Sequence, residues 1–227
     1  MKRILTAFIL LSLCFHLTAH AQSLDKSAMR DSLKAAAQLS AYYPDSTDLR
    51  LKKAAWNIQL EEWQYALDEY NAILAKEPSN LAALYYRAFV GEKLHRYKFA
   101  RLDYQNLLQI VPGNFEAQLG LALLNEKDKH LTEAMDGINS LVSQHPARAE
   151  GYAARAGIEK GRGMLELAEY DFTEAIKRDP TNTDYILCRA DTRIKLKRYK
   201  EAREDLDKLV ALGISRAALA EFYKQTK

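Results

Sequence analysis

Cysteine is scarce in this sequence, with two among 227 residues. Cys14 lies in an apolar N-terminal run and Cys188 stands alone beyond it, so the rest of the chain has no internal disulfide and must be stabilised by packing. A dominant charge sign is lacking too. The 33 Lys and Arg nearly balance the 30 Asp and Glu, leaving a formal +3. Two of those positive charges, Lys2 and Arg3, belong to the same N-terminal run, and about +1 remains without them. Such a balance excludes the electrostatic footprint of a nucleic-acid or anionic-membrane binder. Strand-like alternation of useful length is missing, and no low-complexity linker divides the chain.

Chemistry-bearing motifs are missing as well. His95, His130 and His145 have no HExxH-type spacing, which gives no metal site. There is no GxSxG, and no serine or cysteine has a recognisable partner base. The stretch GIEKGRG (157–163) is rich in glycine but lacks the terminal Lys-Ser/Thr of a phosphate loop and has no strand before it. EKDKH (126–130) reads as a solvated turn. The expectation is a protein that is not an enzyme and takes no cofactor.

The first 21 residues stand apart. MKR is a positive start, ILTAFILLSLCF is an apolar run, and AHA is a small-x-small cleavage pattern. Together they read as a secretory signal peptide cut before Gln22. The run is too short for a membrane anchor and is followed by His16 and His20. Leu13 precedes Cys14, where the bacterial lipoprotein pattern wants Gly, Ala or Ser, so lipid anchoring at Cys14 is discounted. The expected location is across the inner membrane, in the periplasm, with no integral membrane segment after cleavage.

What the sequence does contain is a period. The five prolines are Pro44, Pro78, Pro112, Pro146 and Pro180, each 34 residues after the last. Ala54, Ala88, Ala122, Ala156 and Ala190 form one column at the same step, and Ala66, Ala100, Ala134, Ala168 and Ala202 a second. Trp63, Tyr97, Leu131, Leu165 and Tyr199 form a bulky column, and Tyr70, Tyr104, Ile138, Phe172 and Leu206 another. Two helices approach closely only where both present small side chains, and the bulky columns fill the space beside that contact. Proline lacks an N–H and clashes inside a helix, so it falls just past a helix end. In PSN, PGN and PTN an asparagine follows two residues later, a good cap for the next helix.

These columns resemble the tetratricopeptide repeat, a helix–turn–helix unit of this length. The resemblance covers 47–216 as five units: 47–80, 81–114, 115–148, 149–182 and 183–216. It departs locally, with Leu131 and Ile138 where aromatics are usual and Ile214 in place of proline. The implied fold is all-α, a right-handed α-α superhelix with capping helices at both ends. Residues 22–46 supply an N-terminal helix or half repeat, with Leu33, Ala36 and Leu39 expected inward. Residues 217–227 supply a C-terminal cap after a glycine stop and serine cap in LGIS, with Leu219, Phe222 and Tyr223 on one side.

One charge pattern travels with the repeat. Arg87, Arg155 and Arg189 on first helices accompany Asp103, Asp171 and Asp205 on second helices. Lys53 and Glu69 keep the opposition of sign, while Leu121 and Gly137 lose both charges together. The expectation is an ion pair that fixes how the two helices dock, so that Arg155→Ala lowers the melting temperature more than Lys160→Ala does.

In proteins that this sequence resembles, first helices line a concave groove that holds a peptide or partner helix. The matching stripe at i, i+4 and i+7 is Leu51, Ala55 and Ile58; Tyr85, Phe89 and Glu92; Leu119, Leu123 and Glu126; Ala153, Gly157 and Lys160; Leu187, Asp191 and Ile194. It is mainly apolar, and apolar patches of this size mark interaction sites. The alternative is that Tyr85 and Phe89 only pack against neighbouring helices. The stripe lacks the paired lysines and asparagines by which some members of the family grip a C-terminal carboxylate. Two functions are expected to compete: a scaffold or adaptor of the cell envelope binding a protein or peptide, and a regulatory or substrate-targeting subunit of an envelope enzyme or export machine. Self-association through the ends or the groove stays open.

Overall fold

The computed structural model describes residues 26–226. The signal-peptide reading of 1–21 lies outside them. Within them are twelve α-helices and no strand: α1 (Lys26–Tyr42), α2 (Thr47–Gln59), α3 (Trp63–Lys76), α4 (Leu81–Lys93), α5 (Tyr97–Ile110), α6 (Phe115–Lys127), α7 (Leu131–Gln144), α8 (Ala149–Gly161), α9 (Leu165–Arg178), α10 (Thr183–Lys195), α11 (Tyr199–Ala211) and α12 (Ala220–Gln225). The chain divides into two compact units, one ending at Ala134 and the other beginning, within α7, at Met135. None of the helices is both long and apolar enough to cross a membrane.

In the first unit, α1 packs on α2, and each helix from α2 to α5 packs on the one that follows. The punctuation of the sequence explains the ends. Asn80 and Asn114 stand in extended backbone, and their side chains accept the N–H groups of Ala83 and Ala117. Ser46 does the same for Leu49. Each cap satisfies a donor that the first turn of a helix leaves open. Where α2 meets α3, and α4 meets α5, the alanine columns close the contact: Ala54, Ala66, Ala88 and Ala100 are all buried in one apolar core with Tyr70 and Tyr104.

The bulky second-helix column meets the residue 16 positions later. Tyr70 stacks on Tyr86 with ring centroids 6.1 Å apart. Tyr104 instead faces Gly120, and a Cβ built there would lie 2.6 Å from the Tyr104 Cζ. The ring is buried and held by its hydroxyl, which donates to Glu92 Oε1 at 2.9 Å, so it has little room to retreat. Gly120→Ala is therefore expected to lose about 1–3 kcal/mol by overpacking, read as a lowered urea midpoint, with Gly113→Ala as a control because no atom lies within 4 Å of its Cβ position.

In the second unit, α8 packs on α9, α9 on α10, α10 on α11 and α11 on α12. Asn182 caps α10 by accepting from the N–H groups of Asp184 and Tyr185. The glycine stop in LGIS is real: Gly213 has φ +98°. The cap beyond it is shorter than the sequence suggests, since helix runs only over Ala220–Gln225 after a turned segment in which Ser215 Oγ accepts from the Ala218 N–H. At the other end of the chain, Ala36 is buried and Leu33 half-buried, but Leu39 is 48% exposed. The expected inward stripe of α1 thus ends a turn early, leaving Leu39, Tyr42 and Tyr43 at the surface.

The charge columns dock as bidentate pairs. Arg87 Nε and Nη2 donate to the Asp103 carboxylate at 2.8 and 2.7 Å. Arg155 reaches Asp171 at 2.5 and 2.8 Å, and Arg189 reaches Asp205 at 3.1 and 2.6 Å. Lys53 and Arg50 share Glu69. Each arginine also extends its free Nη1 to the residue 16 positions before it: Asn71, Asn139 and Thr173. One guanidinium thus ties three helices, using the planar fork that lysine lacks. In α12, Tyr223 occupies the arginine position, and its hydroxyl donates to Asp207, again 16 residues back, at 2.6 Å.

Candidate functional site

The stripe residues of the first unit stay partly open. Leu51, Ile58, Tyr85 and Phe89 are half-buried against its core, together with Trp63, Leu94 and Tyr97. Glu92, Leu119 and Glu126 are half-buried and Leu123 is exposed. The rings meet edge to face in two groups. Trp63 meets Phe89 at 6.2 Å, and Tyr85 meets Tyr104 at 5.9 Å and Tyr86 at 5.2 Å. Such T-shaped pairs match the positive edge of one ring to the negative face of another.

Two ammonium groups lie over this aromatic floor. Lys93 Nζ is 5.6 Å from the Trp63 ring centroid and 5.2 Å from that of Phe89. Lys127 Nζ is 5.4 Å from the Tyr97 centroid. Lys93 and Lys127 are one repeat apart, as are Trp63 and Tyr97, so this is a second repeated device: a last-turn lysine covers the aromatic that opens the preceding second helix. Burial pushes the Glu92 carboxyl above its usual range, against the Tyr104 hydroxyl and the two lysines, which favour the anion. Burial likewise raises the Tyr85 phenol, with Glu116, Tyr86 and Glu92 adding to it. The face therefore offers polarizable rings, two cations and one deeply set carboxyl.

The stripe of the second unit differs. Leu187 is 8% exposed and belongs to an apolar cluster with Ile176, Leu206 and Leu219, against which Phe222 packs. Ile194 is buried too. Leu187 is thus a core residue and offers no surface to a ligand, because α10 turns this side toward the C-terminal segment that the stripe spacing takes no account of. Gly157 is half-buried. Asp191 is also half-buried, and Lys160 Nζ lies 2.6 Å from it with Lys195 at 3.2 Å. Against the burial that would raise it, these lysines hold the Asp191 carboxyl below its usual range. Two stripe positions, Lys160 and Asp191, thereby neutralise each other.

A further polar column was invisible at the level of motifs. Arg101 Nε donates to Asn125 Oδ1 at 2.9 Å, and Arg193 Nε donates to Glu169 Oε1 at 2.8 Å. Both pairs span 24 residues, with the cation on the second helix in one and on the next first helix in the other. The signal was there in part, as Arg101 against Asn125 and Glu169 against Arg193 at matching repeat positions, while Leu67 against Gly91 and Met135 against Glu159 carry no such pair. Among the described residues no group of three or more His, Cys, Asp or Glu side chains is placed to hold a metal ion.

No protein-family model matches the chain. A DnaJ homolog subfamily C member 7 homolog of Dictyostelium discoideum is 24% identical over 198 residues, covering 80% of this chain, which spans 37% of that protein's length. Among solved structures, a tetratricopeptide repeat protein from Parabacteroides merdae superposes with a TM-score of 0.71 at 20% identity, over 98% of this chain and 96% of its own. YrrB, a tetratricopeptide repeat protein with an unusual peptide-binding site, superposes with a TM-score of 0.56 at 19% identity, over 85% of this chain and 99% of its own. Repeated Ala–Ala helix contacts, asparagine caps and an all-helical likeness over almost the whole length agree: this chain has the fold of the tetratricopeptide-repeat proteins.

Proposed function

We propose that this protein is a non-catalytic interaction adaptor of the cell envelope, and that the aromatic face of α2, α4 and α6 receives a peptide or a segment of a partner protein. One observation carries the reading: Tyr85 and Phe89 sit among rings yet are left half-open on a face that also bears Lys93 and Lys127. Aromatic anchors with charged neighbours concentrate binding energy at interfaces. The peptide-binding site of YrrB, a protein of the same fold, supports a peptide as occupant. The envelope assignment rests on the leader pattern of residues 1–21 alone. The site residues proposed are Leu51, Ile58, Tyr85, Phe89, Glu92, Leu119, Leu123 and Glu126, all in the first unit.

Affinity capture from the native envelope tests this, using the protein and a Tyr85→Ala/Phe89→Ala variant of matched helical content by circular dichroism. The expected result is a partner held by the first and reduced at least about tenfold with the second, as for loss of two interface anchors. Equal capture by both would remove the site from this face.

A further inference from the structure

On the side of α4 opposite the aromatic face, a cleft of about 400 Å³ opens between α3 and α5. Its lining interrupts the polar column just described. Asn57, Asn125 and Glu159 fill the corresponding place in three other repeats and are each buried. Here the residue is Gly91, and Leu67 stands where Arg101 or Glu169 would supply a polar partner. Gly91 lets α4 close on α5, since a Cβ there would stand 3.3 Å from the Ala100 Cβ, and no polar side chain reaches from this position into the cleft, whose wall at Leu67 is apolar.

The rim is equally distinctive. Phe99 is 70% exposed and Leu102 53% exposed, both on α5 at the cleft edge. Large apolar side chains this open, beside a concavity, are the mark of a docking surface and not of a solvated helix. The charges are unbalanced. Arg87 is neutralised by Asp103, whereas Arg96 donates through Nη2 to the neutral Gln64 Oε1 at 3.1 Å, and among the described residues no carboxylate pairs with it. Asn71 accepts from Arg87 through Oδ1, which leaves the amide N–H groups of this exposed side chain as donors.

We infer that this cleft binds a second protein segment, distinct from any occupant of the aromatic face, in which a leucine or phenylalanine is flanked by aspartate or glutamate. The apolar side chain enters the cleft over Leu67, beside Phe99 and Leu102. The flanking carboxylate meets Arg96, and Asn71 donates to the segment's backbone. An uncharged or basic segment leaves Arg96 unanswered in a partly desolvated site, which is how charge selects among apolar ligands.

The test uses three fluorescein-labelled peptides and fluorescence polarisation with the full chain: acetyl-Asp-Glu-Leu-Phe-Glu-Asp, the same with lysines for the acids, and the same with serines for Leu-Phe. Binding of the first, at least about tenfold tighter than the other two, is expected. Phe99→Ala/Leu102→Ala should weaken it about tenfold or more, while Phe89→Ala leaves it unchanged. Arg96→Glu should reverse the preference toward the lysine peptide. All three altered cleft side chains are exposed, so helical content should not move. Equal binding of the lysine peptide, indifference to the cleft variants, or no polarisation change up to ~1 mM protein would each overturn the assignment. Loss with Phe89→Ala alone would place the peptide on the aromatic face instead.

Discussion

Arg155→Ala is expected to destabilise the second unit by about 3–5 kcal/mol, the range for removing one partner of a buried ion pair. The reason is the carboxylate left behind. Asp171 is 1% exposed, and Arg155 meets both of its oxygens. The hydrogen bonds that Asp171 accepts hold the guanidinium above its usual range, a sign that the charged pair is the stable form. Without the fork, Asp171 stays in a low-dielectric site with Glu159 as its acidic neighbour. Asn139 loses its partner as well. Arg155→Lys keeps the charge but only one arm of the fork, and should fall between wild type and alanine. Lys160 is the wrong comparator, because it is itself paired with Asp191. Lys200, which is exposed, is the right one, and Lys200→Ala should stay within about 0.5 kcal/mol. Urea unfolding followed by circular dichroism reads the difference. Equal midpoints for Arg155→Ala and Lys200→Ala would mean that the paired columns do not hold the helices together.

That pairing was readable from the sequence because both members vary together at a fixed step. Arg87 with Asp103, and Leu121 with Gly137, are enough to place two positions opposite each other from the sequence alone. The caps Asn80, Asn114 and Asn182 were readable for a similar reason, since proline fixes a helix end and asparagine begins the next. The turn inside each hairpin was not. Glu61, His95, Lys129, Gly163 and Lys197 all have positive φ and all lie one repeat apart. Only one of the five is glycine, so the residue type that normally announces a left-handed position was missing from four of them. The backbone hydrogen bonds that close each turn hold it there, as from Arg96 N–H to Gly91 O at 2.8 Å and from Arg198 N–H to Arg193 O at 2.8 Å.

The candidate site divides along the same line. A stripe at i, i+4 and i+7 says which side chains share a side of a helix, not what stands in front of that side. Tyr85 and Phe89 remain half-open, while Leu187, at the same kind of position, is covered where Leu219 and Phe222 pack. Lys160 and Asp191 belong to different repeats, and their meeting depends on how two first helices lie together, which no single-helix pattern contains. Lys93 and Lys127 were overlooked for the opposite reason. A last-turn lysine is ordinary near a helix C-terminus, and only the ring beneath it gives it a second role.

Glu159 sets the other large effect, a loss of stability as pH rises. It is 5% exposed and its Oε2 has no hydrogen-bond partner, while Met135 stands at the column position from which Arg101 reaches Asn125 one repeat earlier. Burial, reinforced by the Asp171 charge and only partly offset by Arg155, raises its carboxyl from 4.5 to about 7. A hydrogen bond between the protonated carboxyl and Asp171 adds a smaller contribution in the same direction. Below about pH 4.5 both folded and unfolded chains are protonated here, and the group has no effect on stability. Between that value and about pH 7 the folded chain binds more protons than the unfolded one, so stability falls as pH rises. Above about pH 7 the full penalty is present, up to about 3 kcal/mol, because each tenfold change in proton affinity is worth about 1.4 kcal/mol. Glu159→Gln keeps a donor toward Asp171 and carries no charge. It should match wild type near pH 4.5 and be more stable near pH 8 by up to that amount. Other carboxyls titrate in both proteins, so the difference between the two urea midpoints across pH isolates this one. A constant difference from pH 4.5 to 8 would show that the Glu159 carboxyl titrates in the folded chain as it does in the unfolded one. The pair of acids beside Arg155 would then be held by that guanidinium alone, and Arg155→Ala should become the more damaging change as pH rises.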